Sequence, residues 1–213
     1  MRLPLNKNKE QLKELIDELM SKNKIPDSGI RITLTGGYSP DGYSVTAPNL
    51  VITQKPLIIS DETTAIKLVS YEHQRQLPDI KTIDYMMAIW LKPFVAENNA
   101  DDLLYHKAGI ISESPRSNFF IVTKDEKIVT PSTNILKGIN RNYVLELAKK
   151  QFHVEERDVT LNEAYEAKEA FLTSTTKLIL PVVQIDGRKL GNGTQGKISL
   201  VLKDELKRII SQH

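Results

Sequence analysis

A chain of 213 residues with 40% hydrophobic and 26% charged residues can bury one large core or two modest ones, and its composition is that of an ordinary globular protein. Lysine and arginine number 29 against 27 acidic residues, a net charge of +2 with no long basic block, so nothing electrostatic points to a nucleic acid or membrane partner. The absence of cysteine excludes a disulfide framework, thiolate-bound zinc and a cysteine nucleophile, and fits a cytoplasmic protein.

The first residues carry no long apolar run, so neither a signal peptide nor a membrane span is expected. Leu12, Leu15, Ile16, Leu19 and Met20 recur at helical spacing behind a capping Asn8, which predicts a helix from Lys9. "GIRITLTGG" and "NLVITQKPL" read as two strands around a Pro-Asp-Gly turn, and "AIKLVSYE" as a third. "TIDYMMAIWLKPFVAENNA" has a helical pattern that Pro93 kinks or divides. Strand-like runs follow in "DDLLYHKAGIISES", "NFFIVTKDEKIVTP" and "AFLTSTTKLILPVVQIDGRKL", and these should share a sheet. Between them lie a helix opening in "ILKGINRNYVLELAKKQF", with Val144, Leu147, Ala148 and Phe152 on its apolar face, and a shorter one in "TLNEAYEAKEA" with a Thr-x-x-Glu capping box. Strands and helices alternate throughout, which favours an α/β or α+β fold. "GNGTQGKIS" has the glycine and lysine spacing of a phosphate loop, but Ile198 stands where that loop needs a hydroxyl, so a turn into the last helix, "ISLVLKDELKRII", is expected instead. His73, His106, His153 and His213 show no metal-ligand spacing, and no metal is expected.

Four places carry chemistry. Lys81 in "QLPDIKTIDY" precedes a helix; Glu113 in "GIISESPRSNFFIV" ends a strand before a turn; and "NILKGINR" opens a helix whose backbone N–H groups are available to an anion, while "FLTSTTK" ends a strand in four hydroxyl residues, Thr173 to Thr176. Singly each has an ordinary structural explanation. In this order, "IKTIDY", "ISESPRSNFFIV", "ILKGINR" and "FLTSTTKLILPV" closely resemble the class IV aminotransferases, the fold type IV pyridoxal-phosphate enzymes that include branched-chain and D-amino acid aminotransferases and aminodeoxychorismate lyase.

The resemblance implies a two-domain α/β (α+β) protein, with a small N-terminal domain over residues 1–77, a larger cofactor domain over 78–213 and pyridoxal 5'-phosphate in the crevice between them. It implies that Lys81 forms the Schiff base and shuttles a proton, that Glu113 keeps the pyridine nitrogen protonated, and that the amides of Ile139 and Asn140, with Ser174 and Thr175, hold the phosphate. Leu136 would pack on the ring, Tyr85 would bond its phenolic oxygen, and Tyr43, Arg116 and Thr176 are candidates for contact with the substrate. The implied reaction moves an amino group from an amino acid to a 2-oxo acid in a homodimer. Its rivals are β-elimination of pyruvate from aminodeoxychorismate and a degenerate member without turnover.

Several positions depart from the family pattern. Asn140 stands for a frequent threonine, Asp84 for a frequent asparagine, and Pro115-Arg116 for a more glycine- and serine-rich turn. Asp41 and Tyr43 occupy the places of the Arg-x-His pair that D-amino acid aminotransferases use for the substrate carboxylate, and "GYS" is similar to the lyase branch. Members usually carry roughly seventy further N-terminal residues, a sizeable part of a small domain, with an arginine for the phosphate. The small domain is therefore expected to be incomplete.

Overall fold

The computed structural model describes residues 3–57 and 64–211, which fall into two compact units, Met1–Ile59 and Ser60–His213. In the first, helix α1 (Lys9–Asn23) begins with the expected cap. Asn8 Oδ1 accepts from the Gln11 amide at 2.8 Å and Gln11 Oε1 accepts from the Asn8 amide at 3.1 Å, a reciprocal box that satisfies two otherwise free N–H groups. Strands β1 (Ser28–Thr35) and β2 (Asn49–Pro56) form an antiparallel pair, and Asn23 at the helix end donates to Gln54 of β2 at 3.1 Å. In the connecting loop, hydrogen bonds from the Ser39 hydroxyl and from Ser44 and Tyr43 hold the Asp41 carboxyl well below the usual range.

The second unit comprises β3 (Ile66–Glu72), α2 (Met86–Trp90), α3 (Lys92–Glu97), β4 (Asp102–Lys107), β5 (Ile110–Ile111), β6 (Glu113–Ser114), β7 (Ser117–Val122), β8 (Ile128–Thr130), α4 (Ile139–Ala148), β9 (Val154–Glu156), β10 (Val159–Thr160), α5 (Leu161–Tyr165), β11 (Glu169–Ser174), β12 (Leu178–Ile185), β13 (Arg188–Lys189) and α6 (Lys197–Ser211). Among the described residues its strands make one mixed sheet, ordered β10-β5-β4-β3-β12-β11-β7-β8-β9, with β13 on β12 and β6 on β7. β7 is buried along its whole length because both faces of the sheet are covered. Its alternate residues serve different cores: Phe119 and Ile121 pack with Leu172 and Leu180, whereas Phe120 and Val122 pack with Val144 of α4 and Leu202 and Leu206 of α6. The Phe120 and Phe171 rings stack at 4.9 Å. A third cluster sets Leu91 and Val95 on Val69, Leu103 and Tyr105.

Two sequence expectations change, and one that was left open is settled. β3 lies in the second unit, parallel to both β4 and β12, so the boundary expected at 77 falls after a strand of the large sheet and the first unit ends at Ile59. Pro93 divides its segment: α2 stops at Trp90, and α3 takes the proline into its first turn, where no N–H is needed. The "TLNEAYEAKEA" helix is only Leu161–Tyr165. The Thr160 hydroxyl accepts from the Glu163 amide at 3.1 Å, but the Glu163 carboxylate turns to Arg157 at 2.6 Å, so half of the expected box forms.

The phosphate-loop likeness also resolves. The buried Glu169 carboxylate accepts from the amides of Ile198 at 3.1 Å and Ser199 at 3.0 Å, filling the start of α6 with the chain's own anion, and a Cβ at Gly196 would collide with it. No described helix is long and apolar enough to cross a membrane. His213 lies outside the described residues.

Candidate active site

Two hairpins and one helix start build a cavity of about 210 Å³. The first hairpin joins β6 to β7 through Pro115 and Arg116, and its register sets Glu113 opposite Asn118. Glu113 is buried, and its Oε2 accepts from the Leu136 amide at 3.0 Å, with Asn118 Nδ2 at 3.5 Å. Asn118 Nδ2 also donates to the Leu136 carbonyl at 2.6 Å. Glu113 and Asn118 thus pin the loop that leads into α4, and that loop delivers Gly138 as the N-cap.

Gly138 is required by space. A Cβ there would lie 2.5 Å from Asn118 Oδ1, although its φ of −68° would suit any residue. No side chain caps α4, so the amides of Ile139 and Asn140 point outward from the positive end of the helix. The second hairpin, β11 to β12, brings Thr173, Ser174 and Thr175 to the same place, and Asn140 Nδ2 donates to the Ser174 carbonyl at 2.7 Å. The side chain that departs from the family pattern therefore ties the helix start to the strand end.

Lys81 and Tyr85 line this cavity with Glu113, Leu136, Ile139, Asn140, Ser174, Thr175 and Arg116. Of the remaining sequence candidates, Thr176 is exposed and outside the lining, and Tyr43 belongs to the first unit and is 93% exposed. The lining includes five basic residues, of which Arg75 is paired with Glu113 and Arg141 with Glu156; Lys81, Arg116 and Lys137 add positive charge that suits an anion. Burial pushes the Glu113 carboxyl up, opposed by the Leu136 amide and by Arg75.

Among the lining residues that sequence reasoning did not assign to the site are Thr173, Arg75 and Asn118. Arg75 makes an ion pair with Glu113 at 2.8 Å, and Asn118 connects Glu113 to the Leu136 loop. An arginine shortly before the lysine was visible as a residue type, but its partner is 38 positions away. A larger cavity of about 610 Å³ shares Arg75, Thr82, Tyr85 and Pro115 with the first. It contains neither Lys81 nor Glu113 and is lined largely by apolar groups such as Met86, Met87 and Trp90, so the sequence candidates gather in the smaller cavity.

A family profile described as amino-transferase class IV matches residues 1–185. The chain belongs to the class IV aminotransferases. It is similar to a D-alanine aminotransferase from Bacillus licheniformis, 28% identical over 219 residues, covering 98% of this chain and 76% of the relative. Among solved structures, the branched-chain amino acid aminotransferase of Thermobaculum terrenum in its pyridoxal-phosphate form superposes with a TM-score of 0.87 at 26% identity, over 98% of this chain and 73% of that one. A Legionella pneumophila protein assigned as a 4-amino-4-deoxychorismate lyase shares the fold, with a TM-score of 0.86 at 21% identity over 97% and 79% of the two chains.

Enzymes of this class use pyridoxal phosphate, and the cavity's residues fit it. Thr173 Oγ1 is buried at the cavity without a hydrogen-bond partner, a donor for which a phosphate oxygen would be the complement. The uncapped start of α4 offers further N–H groups, Lys81 an amine and Glu113 a carboxylate for a protonated ring nitrogen.

Proposed function

We propose that this chain transfers an amino group between an amino acid and a 2-oxo acid, with Lys81 as the amine that carries the cofactor. The observation behind this reading is the single cavity in which Lys81, Glu113, the start of α4 and the hydroxyls at the end of β11 converge. When bound, pyridoxal phosphate supplies an aldehyde for primary amines and a protonated ring that takes up the electrons left when a proton departs from the substrate carbon. Lys81 Nζ would hold the cofactor and, as an amine beside the substrate carbon, would take and return that proton. Glu113 would keep a proton on the ring nitrogen. The amides of Ile139 and Asn140, with the hydroxyls of Thr173, Ser174 and Thr175, would bind the phosphate; Leu136 would support the ring, and Tyr85 would donate to its phenolic oxygen. Arg116 and Thr176 are assigned to the substrate.

We further propose that two copies pair through the exposed apolar side chains of Ile83, Met86, Ile89 and Trp90, which stand in water otherwise. Sedimentation showing only monomer at micromolar protein would refute this pairing. We place the reaction in the cytoplasm, in keeping with the cysteine-free composition.

The deciding experiment is reduction with borohydride after adding pyridoxal phosphate. Wild type should retain a covalent cofactor chromophore and Lys81→Ala should not; a chromophore fixed equally in both removes Lys81 from this role. An assay of amino donors with 2-oxoglutarate then separates transfer from pyruvate-releasing elimination.

A further inference from the structure

Arg75 reaches two parts of the site with one rigid group. Its Nε donates to Glu113 Oε1 at 2.8 Å, its Nη2 to the Pro78 carbonyl at 2.6 Å and its Nη1 to the Ile80 carbonyl at 3.3 Å. Pro78 and Ile80 belong to the backbone that leads directly into Lys81. The planar guanidinium fixes these three acceptors relative to one another, which a flexible ammonium would not do. We infer that Arg75 is a positioning residue that holds Glu113 ionised and ties it to the segment presenting Lys81, so that the two ends of the cofactor are aligned by a single side chain.

The acceptor sites of Glu113 support this assignment. A carboxylate offers about four lone-pair positions. Arg75 takes one on Oε1, and the Leu136 amide and the weaker Asn118 contact take two on Oε2. One acceptor position is left for a protonated ring nitrogen, provided that the carboxyl carries no proton itself. The pair is secluded, with side-chain exposures of 17% for Arg75 and 6% for Glu113, so solvent cannot replace the arginine. Arg75 and Lys81 are the cations that act on Glu113; Arg116, Lys137 and Arg141 line the same cavity, and the buried Tyr105 phenol, pushed up to about 12, stays neutral.

The inference rests on Glu113 as the partner of the ring nitrogen, but its test is made without cofactor. In apoprotein, the infrared carbonyl band of a protonated buried carboxyl, assigned by its loss in the Glu113→Gln background, should appear in Arg75→Met at a pH at least about one unit higher than in wild type, the tenfold change expected from losing a close cation. Pyridoxal phosphate should bind Arg75→Met at least about tenfold more weakly at neutral pH. A band appearing at the same pH in both proteins would overturn the inference. If Arg75→Met does not fold, the double variant Arg75→Met with Glu113→Gln decides: restored folding supports a charge left unpaired, and an equally unfolded double variant refutes it. The role of Glu113 is tested separately. If Glu113→Gln alone binds cofactor with unchanged affinity and an unchanged visible spectrum, that assignment fails while the infrared result keeps its own meaning.

Discussion

Replacing Gly138 with alanine should damage the site without straining the backbone. At φ −68° and ψ 149° an alanine is at ease, so the whole effect comes from its Cβ, which would sit 2.5 Å from Asn118 Oδ1. Asn118 must turn away. It then gives up its 2.6 Å bond to the Leu136 carbonyl, worth about 1 kcal/mol net, and loosens the Leu136 amide from Glu113, a charge-assisted bond worth about 1.5–3 kcal/mol when wholly lost. Taking the first in full and the second in part gives about 2–3 kcal/mol, or a rise of about 30- to 150-fold in the dissociation constant of pyridoxal phosphate. Fluorescence or absorbance titration of apoprotein measures this directly. Because the alanine acts through Asn118, Asn118→Ala with Gly138→Ala should bind no worse than Asn118→Ala alone. A Gly138→Ala protein within about threefold of wild type, or a double variant in which the two losses add, would refute this reasoning.

Other perturbations test the frame around the site. Glu169→Ala removes the buried acceptor of two amides at the start of α6 and should cost about 3 kcal/mol, lowering the melting temperature of the apoprotein by about 6–12 °C; a change under about 2 °C would show that the amides find other partners. Tyr105, whose phenol burial pushes up to about 12, should stay protonated in an alkaline ultraviolet titration after tyrosines near the ordinary value of about 10 have ionised. The folded chain keeps that proton where the unfolded chain has lost it, so this residue's contribution is intact below pH about 10 and is lost as the pH rises to about 12. A Tyr105→Phe protein with the same titration curve and the same alkaline unfolding profile would contradict the burial argument.

What the sequence made legible was residue chemistry and local pattern. Lys81, Glu113 and the glycine before α4 stand out because amine, carboxylate and helix start are the groups the reaction needs, and Asn8 before α1 announces itself because a cap acts within one turn. Long-range pairing left no such trace. β3 reads as a strand, yet nothing in its residues says that it enters a sheet beside β12, where its Ser70 amide meets Asp186, 116 positions on. Arg75 and Asn118 were passed over for the same reason. One sits in a polar loop and the other inside a strand, and each acquires its role only when the fold brings Glu113 or Leu136 to it. Asn140 showed the converse: its departure from the family pattern was visible, but not the hydrogen bond to Ser174 that uses the difference.

The start of α6 bears on how glycine-rich turns are interpreted. Its spacing imitates a phosphate loop because both answer the same demand, an anion against bare amides with no Cβ in the way, and here the tenant is Glu169 from an adjoining strand. An internal ligand of this kind needs no dissociation constant; it is present whenever the sheet is formed, and it fastens the last helix to the strand that ends in the hydroxyls of the cofactor cavity. On the proposed assignment the two ends of β11 do related work, one receiving amides on a carboxylate and the other offering hydroxyls to a phosphate.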